Sequence, residues 1–207
     1  MMKFMNYNLY IFDNFNSVTN HDVQFLFNFM PKDRKIRAEN CFYKIDKKIK
    51  TIEYFVLKQA LGFKGVKELK YLKNGKPIIY DCKKFNISHT RTALVVAVSD
   101  DNIGVDIQEV ITYREDLAKY ICSKKEYEII SKSDKPSIEL TKLWVMKESL
   151  IKLKGLTIAQ NLKTLLKNRN KYTFDFFDVN GCIGCVCQKI STQPRERVVD
   201  IQVQEKE

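Results

Sequence analysis

Apolar residues near the start of the chain recur at helical spacing. One set follows i, i+3, i+4 and i+7, the pattern of one buried helix face, and consists of Val23, Leu26, Phe27 and Met30. Pro31 ends this helix and can occupy the first position of the next one, which we predict over residues 32–42. A third helix is predicted over residues 46–61, because Gly62 supplies a stop signal directly after it.

Most of the remaining first half is predicted to form short strands. An opening strand is predicted at residues 7–12, and further strands follow at residues 66–72, 77–80, 85–88 and 93–98. The sequence Asn74-Gly75-Lys76 has the composition of a turn between the first two of these four strands. After a polar turn, residues 103–108 resume as a strand.

The second half again places helices before strands. A helical region is predicted from about residue 115, where Ser123 and Glu126 have the spacing of a capping box. Ser137 is the predicted cap of a longer helix over residues 138–154, which ends at Gly155. The last predicted strands are residues 172–179, 182–190 and 198–203.

The length of 207 residues suits one domain or two small ones, and both halves run from helices to strands. We therefore predict an α+β fold of two lobes, residues 1–102 and 103–207. Hydrophobic residues make up 44% of the chain, and no apolar run approaches the roughly 20 residues of a membrane span. The first residues lack the features of a signal peptide, so we expect a cytoplasmic protein that does not enter a membrane.

Six cysteines in a chain of this class are more typical of reduced core thiols than of a disulfide framework. Cys182-Ile183-Gly184-Cys185 has the Cys-x-x-Cys spacing of redox and zinc sites. However, the chain has only two histidines, His21 and His89, and the motif lies in a predicted strand. We interpret the motif as structural.

The formal charge of +11 comes from 36 Lys and Arg against 25 Asp and Glu. Such a field attracts an acidic partner, but charge alone does not distinguish nucleic acid, an acidic protein and a polyphosphate. Residues 44–50 contain four lysines, which would suit a nucleic-acid surface, a phosphate pocket or an exposed face without a ligand.

Three segments contain the candidate catalytic and binding residues. They are Phe85-Asn86-Ile87-Ser88-His89, Ile103-Gly104-Val105-Asp106-Ile107-Gln108 and Leu143-Trp144-Val145-Met146-Lys147-Glu148-Ser149-Leu150-Ile151-Lys152. On a strand, Asp106 and Gln108 point to one face and Glu109 points to the other. On the helix, Trp144, Glu148 and Lys152 share one stripe. Each feature alone also has an ordinary interpretation: a surface acid, a solvated Glu–Lys pair, and a hydrogen-bonded structural histidine.

Together, and preceded by Gly75-Lys76-Pro77, these segments resemble the 4'-phosphopantetheinyl transferases of the surfactin-synthetase type. The likeness extends from about Pro31 to the strand that contains Cys185-Val186-Cys187. It implies two similar lobes related by a pseudo-twofold axis, with the active site in the cleft between them. It also implies an activity of the holo-[acyl-carrier-protein] synthase type, which moves the phosphopantetheine arm of coenzyme A onto a serine of an apo carrier protein and releases 3',5'-ADP.

The resemblance assigns roles to particular residues. Asp106, Gln108 and Glu148 would hold Mg²⁺, with Mn²⁺ as an alternative ion. The same Asp106 and Glu148 would be catalytic together with Lys152, with Glu148 as the base. The residues that would bind coenzyme A are Arg34, Arg37, Lys50, Thr51, Lys76, Ser88, His89, Lys147 and Lys152.

Gln108 departs from the family pattern, which usually has a second acidic residue at this position of the strand. Mg²⁺ is usually held by one or two carboxylates completed by phosphate oxygens and water, so Asp106 and Glu148 suit it if strand and helix pack together. A neutral amide supplies no charge, and we expect weaker metal binding than at a three-carboxylate site. Glu109 should not compensate, because the pleat turns it to the opposite face.

The expected partner is an acidic apo carrier protein, and the expected docking surface is the stretch 113–130 with its apolar Leu117, Tyr120 and Ile121. We expect a monomer that does not bind nucleic acid. Two alternatives stay open. One is a basic nucleic-acid-binding protein, whose binding would be sensitive to salt. The other is a homologue that binds coenzyme A or a carrier without catalysis, of which Gln108 would be the first sign.

Overall fold

The computed structural model describes residues 6–62, 69–72, 75–80, 82–157 and 161–190 of the chain. The strands are β1 Asn8–Phe12, β2 Lys70–Tyr71, β3 Pro77–Ile78, β4 Lys84–His89, β5 Leu94–Ser99, β6 Ile103–Glu109, β7 Tyr172–Val179 and β8 Cys182–Lys189. The α-helices are α1 Asn20–Asn28, α2 Lys32–Glu39, α3 Lys44–Ala60, α4 Glu115–Ile121, α5 Lys124–Ile130 and α6 Pro136–Lys154. The fold is therefore mixed α and β, as predicted.

The strands form two three-stranded antiparallel sheets and one short pair. The first sheet has the order β1-β5-β4, the second has the order β6-β8-β7, and β2 pairs with β3. Each large sheet is built from strands of one predicted half of the chain. The predicted strand 198–203, the first residues of the predicted strand 66–72 and Asn74 of the predicted turn lie outside the described residues.

Strand β5 is buried on both faces, which explains why it reads as a continuous apolar run rather than an alternation. One face packs in a core with helix α3, through Leu94, Val96 and Val98. The other face packs against β6 and β8, through Ala93, Val95 and Ala97. The first sheet therefore has a helix on one side and the second sheet on the other, and both halves share one apolar interface.

Three of the predicted helix-start and helix-stop signals concern the ends of helices α5 and α6. Ser123 and Glu126 form the predicted capping box, and Gly155 ends α6 in the left-handed conformation with φ of 67°. Ser137 does not cap α6, because the helix already begins at Pro136. The Ser137 hydroxyl instead accepts a hydrogen bond from the backbone N–H of Tyr113 at 3.0 Å. The local pattern predicted that the Ser137 side chain would cap the helix. The side chain instead makes a tertiary contact with the preceding loop.

The cysteine motif lies on a strand, as predicted. Cys182 and Cys185 are buried on opposite faces of β8, the first in the core between the sheets and the second against α6. All six cysteines are free. Across the ranges given above, no helix has the length and apolar character needed to cross a membrane.

Candidate active site

A cleft of about 860 Å³ opens where strands β4 and β6 meet helix α6, and α2 and α3 form its other wall. Most of the predicted site residues line this cleft. They are Arg34, Arg37, Lys50, Ser88, His89, Asp106, Gln108, Glu148 and Lys152. The structure therefore brings together residues from five separate elements, with the carboxylates at one end and the arginines at the other.

Two polar side chains of β4 join the first sheet to the free edge of the second. Asn86 Oδ1 accepts a hydrogen bond from Val105 N at 2.8 Å, and Ser88 Oγ accepts one from Ile107 N at 3.3 Å. These backbone N–H groups of β6 point away from β8, and buried donors need a partner. The Asn-x-Ser spacing thus satisfies alternate donors of the edge strand and sets β4 beside β6. The sequence indicated no such role for Asn86.

Ser88, Asp106 and Lys152 form a closed triangle at the base of the cleft. Ser88 Oγ donates to Asp106 Oδ1 at 2.9 Å, and Lys152 Nζ donates to Ser88 Oγ at 2.8 Å. Lys152 Nζ also forms an ion pair with Asp106 Oδ1 at 2.7 Å. The strand β4, the strand β6 and the helix α6 each contribute one corner, so the position of the Lys152 ammonium depends on all three.

Gly104 allows α6 to approach β6 closely enough for this triangle to form. A Cβ atom at residue 104 would lie 2.0 Å from the backbone oxygen of Ser149 and 2.6 Å from the backbone nitrogen of Leu153. Only a residue without a side chain fits there. Since Asp106 is two residues along the same strand face, the glycine fixes how near its carboxylate lies to α6.

Glu148 also lines this cleft, and its carboxyl group is buried. The residue is 7% exposed, and within the described part of the chain its Oε1 atom has no hydrogen-bond partner. Burial raises the pKa of Glu148 to about 7, the Asp106 carboxylate adds to this increase, and the Lys152 ammonium opposes it. The carboxyl groups of Asp106 and Glu148 fit a divalent cation. Such a cation would bind both groups and give the unpaired oxygen of Glu148 a partner.

This raised pKa predicts how stability depends on pH in the absence of divalent cations. A carboxyl group whose pKa is higher in the folded than in the unfolded chain stabilises the fold below its ordinary pKa, here 4.5, and loses that contribution as pH rises through about 7. Relative to Glu148→Gln, the wild type should therefore lose unfolding free energy between pH 4.5 and 8. Urea unfolding of both proteins across this range measures the difference. Parallel curves would contradict the assignment.

The third predicted metal ligand supplies no charge. Gln108 lines the cleft on the same strand face as Asp106, while Glu109 is exposed at the end of β6 and does not line the cleft. In the ranges that the structure describes, no group of three or more His, Cys, Asp or Glu could hold a metal ion. The donors present are thus two carboxyl groups and one amide.

The opposite end of the cleft is cationic. Arg34 is buried and donates from Nη1 to the Tyr71 hydroxyl at 3.1 Å, and the guanidinium of Arg37 stacks on the Tyr71 ring at 3.5 Å. Lys50 Nζ lies 2.7 Å from Glu53 Oε2. Desolvation, and next the Lys50 ammonium, lower the pKa of His89, so its imidazole is neutral at pH 7.

Three predicted ligands of coenzyme A do not line the cleft. Thr51 is buried and donates its hydroxyl to Lys47 O at 2.9 Å. Lys76 Nζ donates to the backbone oxygens of Lys152 at 2.8 Å and Ile103 at 3.3 Å. It thus contacts the C-terminal turn of α6, where a cation is favourable. Burial, and next Lys152, lower the pKa of Lys76.

Lys147 is the third predicted ligand of coenzyme A that does not line the cleft. It lies on the side of α6 that faces α4 and α5. Its side chain is fully buried, and Nζ donates to Ile121 O at 2.9 Å and to Glu126 Oε2 at 2.8 Å. The same Glu126 oxygen accepts the backbone N–H of Ser123 at 2.7 Å. Lys147 therefore binds the junction of α4 and α5 to α6. Its neighbour Glu148 reaches the cleft because adjacent helical positions point about 100° apart.

Lys147→Met should lower the unfolding free energy by about 2–3 kcal/mol, because it leaves Glu126 partly buried without its cation. Urea unfolding measures the loss. Lys142→Met is the matched control, since its pair with Glu139 on the same helix is exposed and contributes less than about 1 kcal/mol. A Lys147→Met protein of unchanged stability would show that the buried pair does not hold the junction.

The predicted docking stretch is only partly exposed. Ile121 is fully buried, and Leu117 is only partly exposed because it packs against the same core. Tyr120 and Ile129 are exposed on α4 and α5. The sequence missed Ile129, and it also missed Glu53 in the cleft, although the spacing of Glu53 three residues after Lys50 could have indicated their pairing.

The chain is similar in sequence to known enzymes. Residues 102–196 match the sequence model of the 4'-phosphopantetheinyl transferase superfamily. The chain is 33% identical over 128 residues to the 4'-phosphopantetheinyl transferase psf-1 of Bacillus pumilus, an alignment that covers 58% of the chain and 54% of that protein.

Two other relatives are matched in part. The chain is 38% identical over 85 residues to the 4'-phosphopantetheinyl transferase Sfp of Bacillus subtilis (strain 168), which covers 39% of the chain and 38% of that protein. It is 29% identical over 149 residues to the 4'-phosphopantetheinyl transferase gsp of Aneurinibacillus migulanus, with coverage of 63% and 62%. The chain thus spans less than two thirds of the length of each of these relatives.

Proposed function

We propose that this chain transfers phosphopantetheine from coenzyme A to a serine of an apo carrier protein, and the match of residues 102–196 to the 4'-phosphopantetheinyl transferase superfamily supports this proposal. The observation that carries the proposal is the convergence of Asp106, Glu148 and Lys152 in one cleft. The arginines at the far end of that cleft support a substrate with phosphates at both ends of its nucleotide.

The proposed architecture is two similar lobes, residues 1–102 and 103–207, related by a pseudo-twofold axis. Two observations support it. Each large sheet comes from one half of the chain, and the cleft lies where β4 of one sheet meets β6 of the other. A chain that already contains both walls of its cleft needs no second copy, so we propose a monomer. We also propose that it acts in the cytoplasm.

In the proposed site, Asp106, Glu148 and the amide oxygen of Gln108 hold Mg²⁺, for which Mn²⁺ can substitute. The unpaired buried oxygen of Glu148 and the nearby Asp106 carboxylate support this choice. When bound, the metal would supply positive charge that neutralises the pyrophosphate. Gln108 contributes position without charge, so the chain itself supplies less negative charge than three carboxylates would.

In the proposed reaction, the serine hydroxyl attacks the β-phosphorus of coenzyme A. The Ser–O–P bond forms, the bond from that phosphorus to the bridging oxygen breaks, and 3',5'-ADP leaves. Glu148 is the proposed base, which accepts the hydroxyl proton on the carboxyl oxygen that does not hold the metal. Lys152, held by Ser88 and Asp106, stabilises the negative charge on the phosphoryl oxygens.

At the other end, Arg34, Arg37 and Lys50 are proposed to bind the 3'-phosphate, and His89 the adenosine. Ser88 acts here through Lys152 rather than on the nucleotide. Thr51, Lys76 and Lys147 do not line the cleft, and their polar atoms bind backbone or carboxylate oxygens, so each would have to exchange a partner to bind coenzyme A.

The proposed partner is an acidic carrier protein, which the formal charge of +11 would attract. The proposed docking surface within residues 113–130 contains the exposed Tyr120 and Ile129. This surface lies beside the cleft wall, because α5 packs on α6 through Lys147 and Glu126. The incoming serine would then approach Glu148 from the α5 side.

The test is to incubate the protein with coenzyme A, Mg²⁺ and a panel of apo carrier proteins, and to follow the carrier mass. We expect the mass of one phosphopantetheine group to be added to a single serine. Binding of coenzyme A without transfer would identify a non-catalytic homologue. No binding of coenzyme A, together with salt-sensitive binding to DNA or RNA, would identify a nucleic-acid-binding protein instead.

Gln108→Glu should lower the Mg²⁺ concentration needed for half-maximal transfer by about tenfold, because it adds a carboxylate on the face of Asp106. A Mg²⁺ titration of the transfer rate measures this change. Glu109→Gln is the matched control on the opposite strand face and should leave the titration unchanged. Loss of activity in the control, with no shift in Gln108→Glu, would show that the strand faces are assigned the wrong way round.

A further inference from the structure

Glu53 is a buried carboxylate among the cations of the cleft. The residue is 6% exposed and lines the cleft with Arg34, Arg37 and Lys50. Glu53 Oε2 lies 2.7 Å from Lys50 Nζ, and Oε1 lies 3.8 Å from Arg34 Nη1. Three cations and one carboxylate leave this group with a formal charge of +2, where the cations alone would give +3.

Arg34 has an unused donor beside this carboxylate. Its Nη1 atom donates to the Tyr71 hydroxyl at 3.1 Å. Its Nη2 atom is buried and, among the residues that the structure describes, has no hydrogen-bond partner. A buried guanidinium nitrogen is costly to leave unpaired, and a ligand oxygen in the cleft would satisfy it. An anion that binds there must therefore lie close to Glu53.

We propose that Glu53 is a specificity-determining residue, which limits how strongly this end of the cleft prefers a nucleotide with a 3'-phosphate over one without it. The inference rests on the proposed use of coenzyme A. A phosphate monoester dianion held by Arg34 is repelled by the Glu53 carboxylate, and the repulsion is weakly screened because both groups are buried. The dianion also competes with Glu53 for the Lys50 ammonium.

Glu53 has an opposite effect as well, since it holds Lys50 in place before the ligand binds. This effect is the smaller one. The Lys50 side chain is 39% exposed, and an ion pair with an exposed partner contributes little to holding that side chain in place. Arg34 keeps its position through burial and through Tyr71 without help from Glu53. Removing the carboxylate charge should therefore favour the 3'-phosphate.

The experiment compares two probes on the full chain by calorimetry: adenosine 3',5'-bisphosphate, which has the 3'-phosphate, and AMP, which lacks it. Glu53→Gln should bind the bisphosphate about tenfold more tightly than the wild type does and AMP less than about twofold more tightly, because one negative charge near a dianion is removed. The gain should change little between about 0.05 and 0.5 M salt, because salt screens the repulsion between buried groups only weakly.

Glu39→Gln is the control, since it removes one charge from the exposed last turn of α2 outside the cleft and should leave the ratio of the two affinities unchanged. Glu53→Met is a second neutral variant that must agree with Glu53→Gln, and thermal unfolding of both checks that they fold. An unchanged ratio, or weaker binding of the bisphosphate in both neutral variants, would overturn the proposal.

Arg34→Met separates this proposal from the proposed function. If the wild type binds the bisphosphate and Arg34→Met weakens it, the phosphate subsite stands, and a neutral Glu53 variant without effect refutes only the role of Glu53. If the wild type binds neither probe and transfers nothing to a carrier, the proposed function fails and the inference fails with it.

Discussion

Asp106→Asn should lower the rate of phosphopantetheine transfer by about 10²–10⁴-fold, the range expected when a charged group that orients the reacting atoms is lost. The substitution keeps the size of the side chain but removes the charge that pairs with Lys152 at 2.7 Å. It also removes one of the two carboxylates available to a divalent cation. Single-turnover transfer at saturating coenzyme A measures the rate directly.

A second readout identifies the cause of that loss. Without the Asp106 charge, one of the influences that raise the pKa of Glu148 disappears, so this pKa should fall in Asp106→Asn. Asp134→Asn, in an exposed turn before α6, is the control and should transfer at the wild-type rate. A rate within tenfold of the wild type in Asp106→Asn would remove Asp106 from the reaction centre.

Gly104→Ala should reduce transfer by about 10²-fold and also destabilise the fold, because the new Cβ atom cannot fit against the backbone of α6. The atoms in its way belong to the main chain of Ser149 and Leu153, so no side chain can rotate to make room. The helix must move away from β6 by more than about 1 Å, and overpacking of this kind costs about 1–3 kcal/mol or more. Urea unfolding and the transfer assay measure the two effects.

Gly184→Ala is the matched control in the same sheet. Its Cβ atom would collide with the ring of Phe177 on β7, at 2.1 Å from the nearest ring atom, which is a side chain that can turn. This variant should lose stability but keep transfer within a few-fold of the wild type, because α6 does not move. Equal loss of transfer in both variants would mean that the approach of α6 to β6 is not what Gly104 provides.

The sequence predicted the parts of the site that depend on local geometry. Asp106 and Gln108 share one face of β6 because successive strand residues alternate. Trp144, Glu148 and Lys152 share one face of α6 because residues four apart lie above one another. Turn and cap signals at Ser123 and Gly155 also depend on a few neighbouring residues, and the structure confirms both.

Other predictions concerned residues whose contacts depend on distant partners, and there the structure shows contacts that local patterns did not indicate. Ser137 has the local form of a cap but binds the loop before α4. Lys147 has the charge of a phosphate ligand but is buried against Glu126, and Ile121 has the apolar character of a docking residue but lies in the core. The partners of Ser137 and Lys147 are more than twenty residues away, and composition does not reveal which side of an element a distant partner occupies.

Spacing along the chain is enough to predict the order of helices and strands, the residues that share each face, and the resemblance of three segments to a known family. Which faces meet depends on the packing of the folded chain. Gly104 allows α6 to approach β6, Asn86 and Ser88 join the two sheets, and Glu53 enters a cluster of cations. Contacts of this kind depend on the packing of distant elements, where small differences in fit decide which groups touch.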